Sequence, residues 1–85
     1  LDVVKSLIKQ GADPNWQNVN DFNFTAFMRA CLYNHTSTVE YLLSLNNIQA
    51  NLVDVNGGSG FYHACWKGNN STVQILLENG KTDIM

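Results

Sequence analysis

Two pairs of residues in this chain have side chains that could do chemistry. His63 and Cys65 stand two residues apart in the stretch FYHACWKG, and Cys31 and His35 stand four residues apart in an earlier stretch. A thiol beside an imidazole can act as a nucleophile with its general base, and two thiols with two imidazoles can hold a zinc ion. Which of these the chain allows depends on the elements that carry the four residues.

The chain repeats itself with a period of 34 residues. Residues 25–43, TAFMRACLYNHTSTVEYLL, align without a gap on residues 59–77, SGFYHACWKGNNSTVQILL, with eight identities in 19 positions. A fixed period of this length is the signature of a repeat architecture. We therefore divide the chain into a half unit with a long loop (1–24), a full unit (25–58) and the next unit (59–85).

Each unit predicts two short helices. Apolar residues recur at i, i+3 and i+4 within 27–31 and 61–65, and again within 39–43 and 73–77. That spacing places the residues of each group on one face of a helix. Helices this short are marginal alone, so the pairs must stack on one another to bury their apolar faces.

The boundaries of the second helices also have sequence signals. Ser37 with a Glu three residues later, and Ser71 with a Gln three residues later, fit the capping box, so we expect these helices to begin there. Gly11 and Gly80 follow the second helices, at the place where a left-handed glycine commonly ends a helix.

The period, the helix pairs and the sequence GADPN at residues 11–15 resemble the ankyrin repeat. TAFMRAC and SGFYHAC stand where that family has T-P-L-H-x-A-A, and VEYLL and VQILL stand where it has V-x-x-L-L. The resemblance covers nearly the whole chain. It implies an all-α ankyrin-repeat solenoid, built from stacked helix–loop–helix units with finger loops between them.

The chain departs from the family pattern at the start of the first helices. The family's Pro is replaced by Ala26 and Gly60, and its His by Met28 and Tyr62. Both losses weaken the helix start, and Gly60 adds the entropic cost of a glycine in a helix. We also expect the loop before residue 25 to be two residues longer than the loop before residue 59.

Helical geometry answers the question of chemistry. Residues two apart on a helix point about 200° apart, so His63 and Cys65 face away from each other and cannot act together. Cys31 and His35 could share a metal ion, but the two histidines do not occupy equivalent positions, so such a site breaks the repeat. We expect both cysteines to be buried, reduced and free of metal, since each replaces a small residue at a helix contact, and both histidines to lie at or near the surface. Equivalent positions on packed helices lie about 8–10 Å apart, too far for a disulfide, which needs Cα atoms within about 7 Å.

The composition narrows the class of protein. Hydrophobic residues make up 45% of the 85 residues and charged residues 14%, which is typical of a globular chain. The net charge is −2 with five Lys and Arg residues, so nucleic acid is not expected as a partner. No apolar run is long enough to insert into a membrane. We interpret the chain as a piece of a longer intracellular protein, in the cytoplasm or alternatively the nucleus.

No catalytic arrangement is visible. The stretch NGGSG at residues 56–60 lacks the lysine and the preceding strand of a phosphate-binding loop, and the carboxylates are scattered. We therefore expect no enzymatic activity, no cofactor and no metal.

The resemblance implies a function in protein recognition. Partners of ankyrin repeats meet the loop tips and the exposed side of the first helices. Carried over onto this chain, the implied candidates in the loops are Phe22, Phe24, Val55 and Asn56. The implied candidates on the first helices are Arg29, Leu32, Tyr33, His63, Trp66 and Lys67. We expect a non-catalytic module that binds another protein through its concave face and stacks on flanking repeats of the same chain; the alternative is a structural spacer without a binding site in this segment.

Overall fold

The computed structural model describes residues 2–82, which contain five α-helices and one short 3₁₀ helix joined by loops. The α-helices are α1 (Asp2–Lys9), α2 (Ala26–Leu32), α3 (Thr36–Leu43), α4 (Gly60–Trp66) and α5 (Asn70–Asn79). The 3₁₀ helix, Val19–Asp21, lies in the loop before α2. The loops 10–25 and 44–59 both contain 16 residues, so the expectation of a longer loop before residue 25 is wrong. Apart from two isolated β-bridges, the described residues contain no β-structure.

The helices stack as the repeat predicts. α2 packs against α3 within one unit, and α4 packs against α5 within the next. Between the units, α2 contacts α4 and α3 contacts α5, so helices of the same kind lie side by side. The prediction of an all-α stack of helix–loop–helix units is therefore confirmed.

The centre of the stack is formed by positions that are buried in both units. These equivalent pairs are Ala30 and Ala64, Thr38 and Thr72, and Leu42 and Leu76. The alanines and leucines lie on the helix faces that the i, i+3, i+4 pattern predicts, whereas the two buried threonines are outside that pattern.

A second set of positions is buried only where another unit covers it. Cys31 and Leu43 are buried in the first unit, whereas the equivalent Cys65 and Leu77 are exposed, Leu77 to 52%. The expectation that Cys65 is buried is therefore wrong. The reason is physical: within residues 2–82, no helix packs against the side of α4 that carries Cys65.

Gly60 has a packing role that its helix propensity does not reveal. A Cβ atom at this position would lie 2.7 Å from Cε2 of Phe27 and 3.1 Å from Sγ of Cys31. The glycine thus allows α4 to approach α2 closely, which offsets the entropic cost expected from its place in a helix.

The first helices are capped by hydroxyl groups. The Thr25 side chain accepts a hydrogen bond from the Met28 N–H, and the Ser59 side chain accepts one from the Tyr62 N–H, each at 3.1 Å. Each bond satisfies one of the free amides of the helix start. These caps support the first turn where the family pattern has a proline.

The second helices begin earlier than predicted. α3 starts at Thr36 and α5 at Asn70, and neither has a side-chain cap, so Ser37 and Ser71 lie inside the helices and the predicted capping boxes are wrong. The chain turns sharply before each helix through a residue of positive φ, which is Asn34 in the first unit and glycine in the second. After that turn the helix resumes at once, before the serine is reached.

Asparagine side chains join successive units. The Asn69 amide donates to the carbonyl oxygens of Cys31 and Leu32 at 2.8 and 2.9 Å, where α2 has carbonyls without helical partners. Asn15 likewise donates to the carbonyl of residue 47 at 2.8 Å and accepts from the N–H of residue 49 at 2.7 Å. The units are thus held by polar bonds as well as by apolar packing.

Leu42 and Leu77 offer a matched test of the core. We expect Leu42→Ala to lower the free energy of unfolding by about 2–5 kcal/mol, because it leaves a cavity in the stack. Leu77→Ala, at the half-exposed equivalent of the buried Leu43, should change the free energy of unfolding by less than about 1 kcal/mol. Urea unfolding of both variants measures the difference. Equal losses would show that the outer side of α5 is part of the core.

The two thiols should react at very different rates. Burial raises the pKa of Cys31 to about 12, so its reactive thiolate is scarce as well as inaccessible, while Cys65 is exposed. We expect a thiol reagent at pH 8 to label one cysteine rapidly in the folded protein and the second only in urea. The variant Cys65→Ser should lose the rapid phase, and a rapid phase that persists in it would contradict the burial of Cys31.

Candidate protein-interaction surface

Two finger loops lie side by side at one edge of the stack. Finger 1 comprises residues 18–24 and finger 2 residues 53–59, and an antiparallel bridge joins the two ends of each. The Val55 N–H donates to the Phe22 carbonyl at 3.0 Å, which joins the two tips. The side-chain amide of Gln17 donates to one carbonyl in each finger, at 3.2 and 2.7 Å. The fingers therefore form one connected surface.

Finger 1 is fixed to α2 by an ion pair. The Arg29 guanidinium bonds both carboxylate oxygens of Asp21, from Nε at 3.1 Å and from Nη2. The hydrogen bond with Asp21 raises the pKa of Arg29 above its ordinary value despite partial burial, so the guanidinium stays charged. The same guanidinium lies 4.2 Å from the centre of the Phe24 ring, within the range of a cation–π contact.

Finger 2 is fixed to α4 by a buried pair that the sequence analysis did not find. Asp54 Oδ1 accepts hydrogen bonds from the N–H groups of Asn56 and Gly58 at 2.8 and 3.0 Å, and Asp54 Oδ2 lies 2.7 Å from Nε2 of His63. His63 is only 9% exposed, so the expectation of a surface histidine is wrong. The ring is buried because finger 2 packs against it, with Gly58 close to the ring and Asp54 in contact with its Nε2 atom.

Hydrogen bonding decides the ionisation of Asp54. Burial by itself favours the neutral acid, but the bonds from Gly58, His63 and Asn56 outweigh it and lower the pKa of Asp54 below its ordinary value. The carboxylate is therefore charged in the folded protein. A signal was present in the sequence, because an Asp two residues before Asn-Gly-Gly favours a turn closed by its own side chain.

The two anchors, Asp21–Arg29 with Phe24 for finger 1 and Asp54–His63 for finger 2, touch each other. The rings of Phe24 and His63 lie 4.9 Å apart between centroids, with an interplanar angle of 31°. A continuous series of contacts thus runs from Asp21 through Arg29, Phe24 and His63 to Asp54. This series holds both fingers against the first helices.

The candidate residues fall into three classes of exposure. Exposed side chains are those of Phe22, Tyr33, Val55, Asn56, Trp66 and Lys67. Half-buried ones are those of Phe24, Arg29 and Leu32, and the buried one is His63. The structure thus brings Phe22, Val55 and Asn56 together at the finger tips, while Phe24, Arg29 and His63 lie beneath them as supports.

Comparison of equivalent positions separates two kinds of exposure on the first helices. Tyr33 and its equivalent Lys67 are exposed in both units, so contact between units leaves this position free. Trp66 is exposed, but its equivalent Leu32 is half-buried in the unit that has a neighbour. Trp66 thus lies at the border of the side that another unit covers, where the half-burial of Leu32 indicates that part of the side chain stays free. It also lines a cleft of about 380 Å³ between finger 2 and α4.

The described residues hold no arrangement for metal chemistry. In the range 2–82 there is no group of three or more His, Cys, Asp or Glu side chains placed to hold a metal ion. Cys31 and Cys65 are both free thiols.

No helix within residues 2–82 has the length and apolar character needed to cross a lipid bilayer.

Comparison with known proteins agrees with the architecture. A family model described as ankyrin repeats, in three copies, matches residues 1–85. Human transient receptor potential cation channel subfamily A member 1 is 33% identical over 81 residues, which cover 94% of this chain and 7% of that protein. A protein of Fowlpox virus (strain NVSL) named as ankyrin repeat protein FPV031 is 37% identical over 81 residues, which cover 94% of this chain and 24% of that protein. The chain therefore spans only a small part of these relatives.

The Asp54 anchor predicts a loss of stability in acid. Because the pKa of Asp54 is lower in the folded state, its contribution is present above the unfolded pKa and is lost as the pH falls through the folded pKa. We expect the urea midpoint to fall as the pH decreases below about 4, the ordinary aspartate range. The variant Asp54→Asn should be less stable than wild type at pH 7, and the gap should narrow at acid pH. A gap that is constant with pH would contradict this assignment.

Proposed function

The chain belongs to the ankyrin-repeat family, and on that premise we propose that it binds another protein through its two fingers and the exposed side of its first helices. Ankyrin repeats are generally non-catalytic protein-interaction modules. We propose the same for this chain, with the binding surface formed by Phe22, Val55, Asn56, Tyr33, Lys67 and Trp66.

One observation supports this surface above all. Large side chains remain exposed at positions that contact between units does not use, namely Phe22 and Val55 at the finger tips and Tyr33 on α2. Tyr33 is 56% exposed although the following unit is present. Aromatic residues are enriched among those that dominate binding energy, and apolar groups gathered on one surface mark an interaction site.

The supporting residues strengthen the proposal. A surface that is already fixed in its free state loses less entropy when a partner binds, and so binds more tightly for the same contacts. The ion pair of Arg29 and the buried pair of His63 fix the fingers in this way. Phe24, Arg29 and His63 therefore act in binding as positioning residues, beneath the side chains that touch the partner.

We further propose that other repeats of the same chain cover the two sides of the stack. Cys65 and Leu77 on one side are equivalents of residues buried between units. On the other side an apolar groove of about 320 Å³ opens between α1 and α2, with Val4, Leu7 and Ile8 in its wall. A further helix pair would fill each site. We also propose that the units span residues 1–24, 25–58 and 59–85. The location proposed for the protein is intracellular.

The relatives add a limit to the proposal. One is a cation channel subunit and the other a viral protein, and each shares with this chain only a segment. The shared segment is the repeat stack. The activity of either whole protein is not part of the proposal.

Tyr33 and Trp66 provide the test of the proposed surface. We expect Tyr33→Ala and Trp66→Ala to weaken binding of a partner recovered from the source cell with the full-length protein by at least about 10-fold, about 1.4 kcal/mol. Their melting temperatures should stay close to that of wild type. Gln74→Ala, an exposed residue of α5, is the matched control and should leave affinity unchanged.

The opposite outcome would favour the spacer function. If Tyr33→Ala and Trp66→Ala destabilise the fold as strongly as Leu42→Ala, these aromatic side chains are packing residues. If they change neither affinity nor stability, the first helices are not part of the binding surface.

A further inference from the structure

We propose that Phe22 is an insertion anchor, a side chain that finger 1 holds in a strained backbone so that it can enter an apolar pocket of a folded partner protein. This inference rests on the proposed function and makes it more specific, because it names the residue that penetrates the partner and the kind of surface that receives it.

The backbone of Phe22 is unusual for its residue type. Its φ angle is +55°, in the left-handed region. The other positive φ angles in residues 2–82 belong to glycines or to Asn23 and Asn34, which tolerate this region better. Finger 2 makes its own turn with Gly57, at φ +82°. Finger 1 therefore holds a bulky side chain in the left-handed region, whereas the left-handed residue of finger 2 is a glycine, which avoids strain.

Local bonds impose this conformation. The N–H of Asn23 donates to the Asn18 carbonyl at 2.8 Å, and the N–H of Phe24 donates to the Asp21 carbonyl at 2.9 Å. The Phe22 carbonyl accepts the bond from finger 2, and Asp21 is fixed by its ion pair with α2. The peptide groups on both sides of Phe22 are thus held, and the backbone cannot relax without breaking these bonds.

Burial within the chain does not offset the strain. The Phe22 side chain is 62% exposed, although it is large and apolar. A strained residue that gains little from its own fold is typical of sites where a bound partner supplies the missing contacts. An exposed ring on a loop tip projects outward, so the complementary surface is a pocket.

The surroundings of Phe22 define the chemistry of that pocket. Val55, whose N–H bonds the Phe22 carbonyl, is also exposed and apolar. Asp21 is paired with Arg29, Asp54 is buried, and the nearby polar side chain of Asn56 is a neutral amide. The matching surface is an apolar pocket with an uncharged polar rim, on a folded protein. A highly charged flexible peptide lacks this complementarity.

Two substitutions test the strain without a partner. Phe22→Gly and Phe22→Ala both remove the ring, but only glycine relieves the backbone. We expect the Gly variant to melt higher than the Ala variant, by on the order of 5 °C. It should also melt at or above wild type. Equal melting temperatures for the two variants would overturn the proposal, since Phe22 would then carry no strain.

A photo-crosslinking experiment tests the insertion. A photoreactive phenylalanine analogue is placed at position 22 of the full-length protein in the cell that makes it, and at position 74 as control. We expect adducts from position 22 with apolar residues that line a pocket of one folded partner. Adducts no more frequent than those from position 74, or adducts with a flexible segment, would overturn the proposal.

The purified partner then separates this inference from the broader function. We expect Phe22→Gly to weaken binding at least 10-fold and Phe22→Leu to restore much of the affinity, because leucine keeps an apolar side chain. If Phe22→Gly binds as wild type while Tyr33→Ala binds weakly, Phe22 does not insert into the partner, and the proposed interaction surface stands. If both variants bind as wild type, both proposals fail.

Discussion

The close approach of α4 to α2 is the constraint on which the other features depend. Gly60 permits it, since any larger residue would meet Phe27 and Cys31. The approach sets the spacing of the units and buries Cys31. It also brings the loops that precede the two helices side by side, so that Val55 reaches Phe22. The position of the proposed binding surface is thus a consequence of helix packing one layer below it.

The polar contacts of the fingers add what apolar packing cannot supply. Packing between helices is tolerant of small shifts, whereas a loop tip needs directional bonds to keep one conformation. The Asp21–Arg29 and Asp54–His63 pairs provide them, and the tilted contact between the rings of Phe24 and His63 couples one pair to the other. A buried carboxylate is tolerated here because three donors satisfy it. The two pairs therefore both support the fingers and fix the orientation of the finger tips.

The sequence predicts the parts of this structure that depend on periodicity, and it fails where a residue's surroundings come from elsewhere. The helix pairs, the central residues such as Leu42 and the left-handed Gly80 follow from local spacing and composition. Cys65 is expected to be buried because it replaces a small residue at a helix contact, but its burial depends on a neighbouring unit and not on the residue alone. Ser37 gave a misleading helix start because the preceding turn already fixes where α3 begins.

The sequence indicates where the candidate surface lies but not which contacts hold its loops in place. The resemblance placed its residues in the loops and first helices, yet nothing in the spacing of Asp54 and His63, nine residues apart, distinguishes an anchor from two surface groups. Likewise, the φ angle of Phe22 depends on bonds that join residues across both fingers. Such features arise only when the loops are folded against the helices, so they require the three-dimensional structure.

The uneven burial along the stack has a consequence for how the molecule moves. α1 contains no buried residue, while α2 and α3 each contain four. In a linear stack each element is stabilised only by its neighbours, so local opening is easiest where burial is least. Within residues 2–82, amide hydrogens of α1 are therefore expected to exchange through brief local opening, and those of α2 and α3 only through cooperative disruption of the centre. Finger 1, which connects α1 to α2, lies at the boundary between these two regimes.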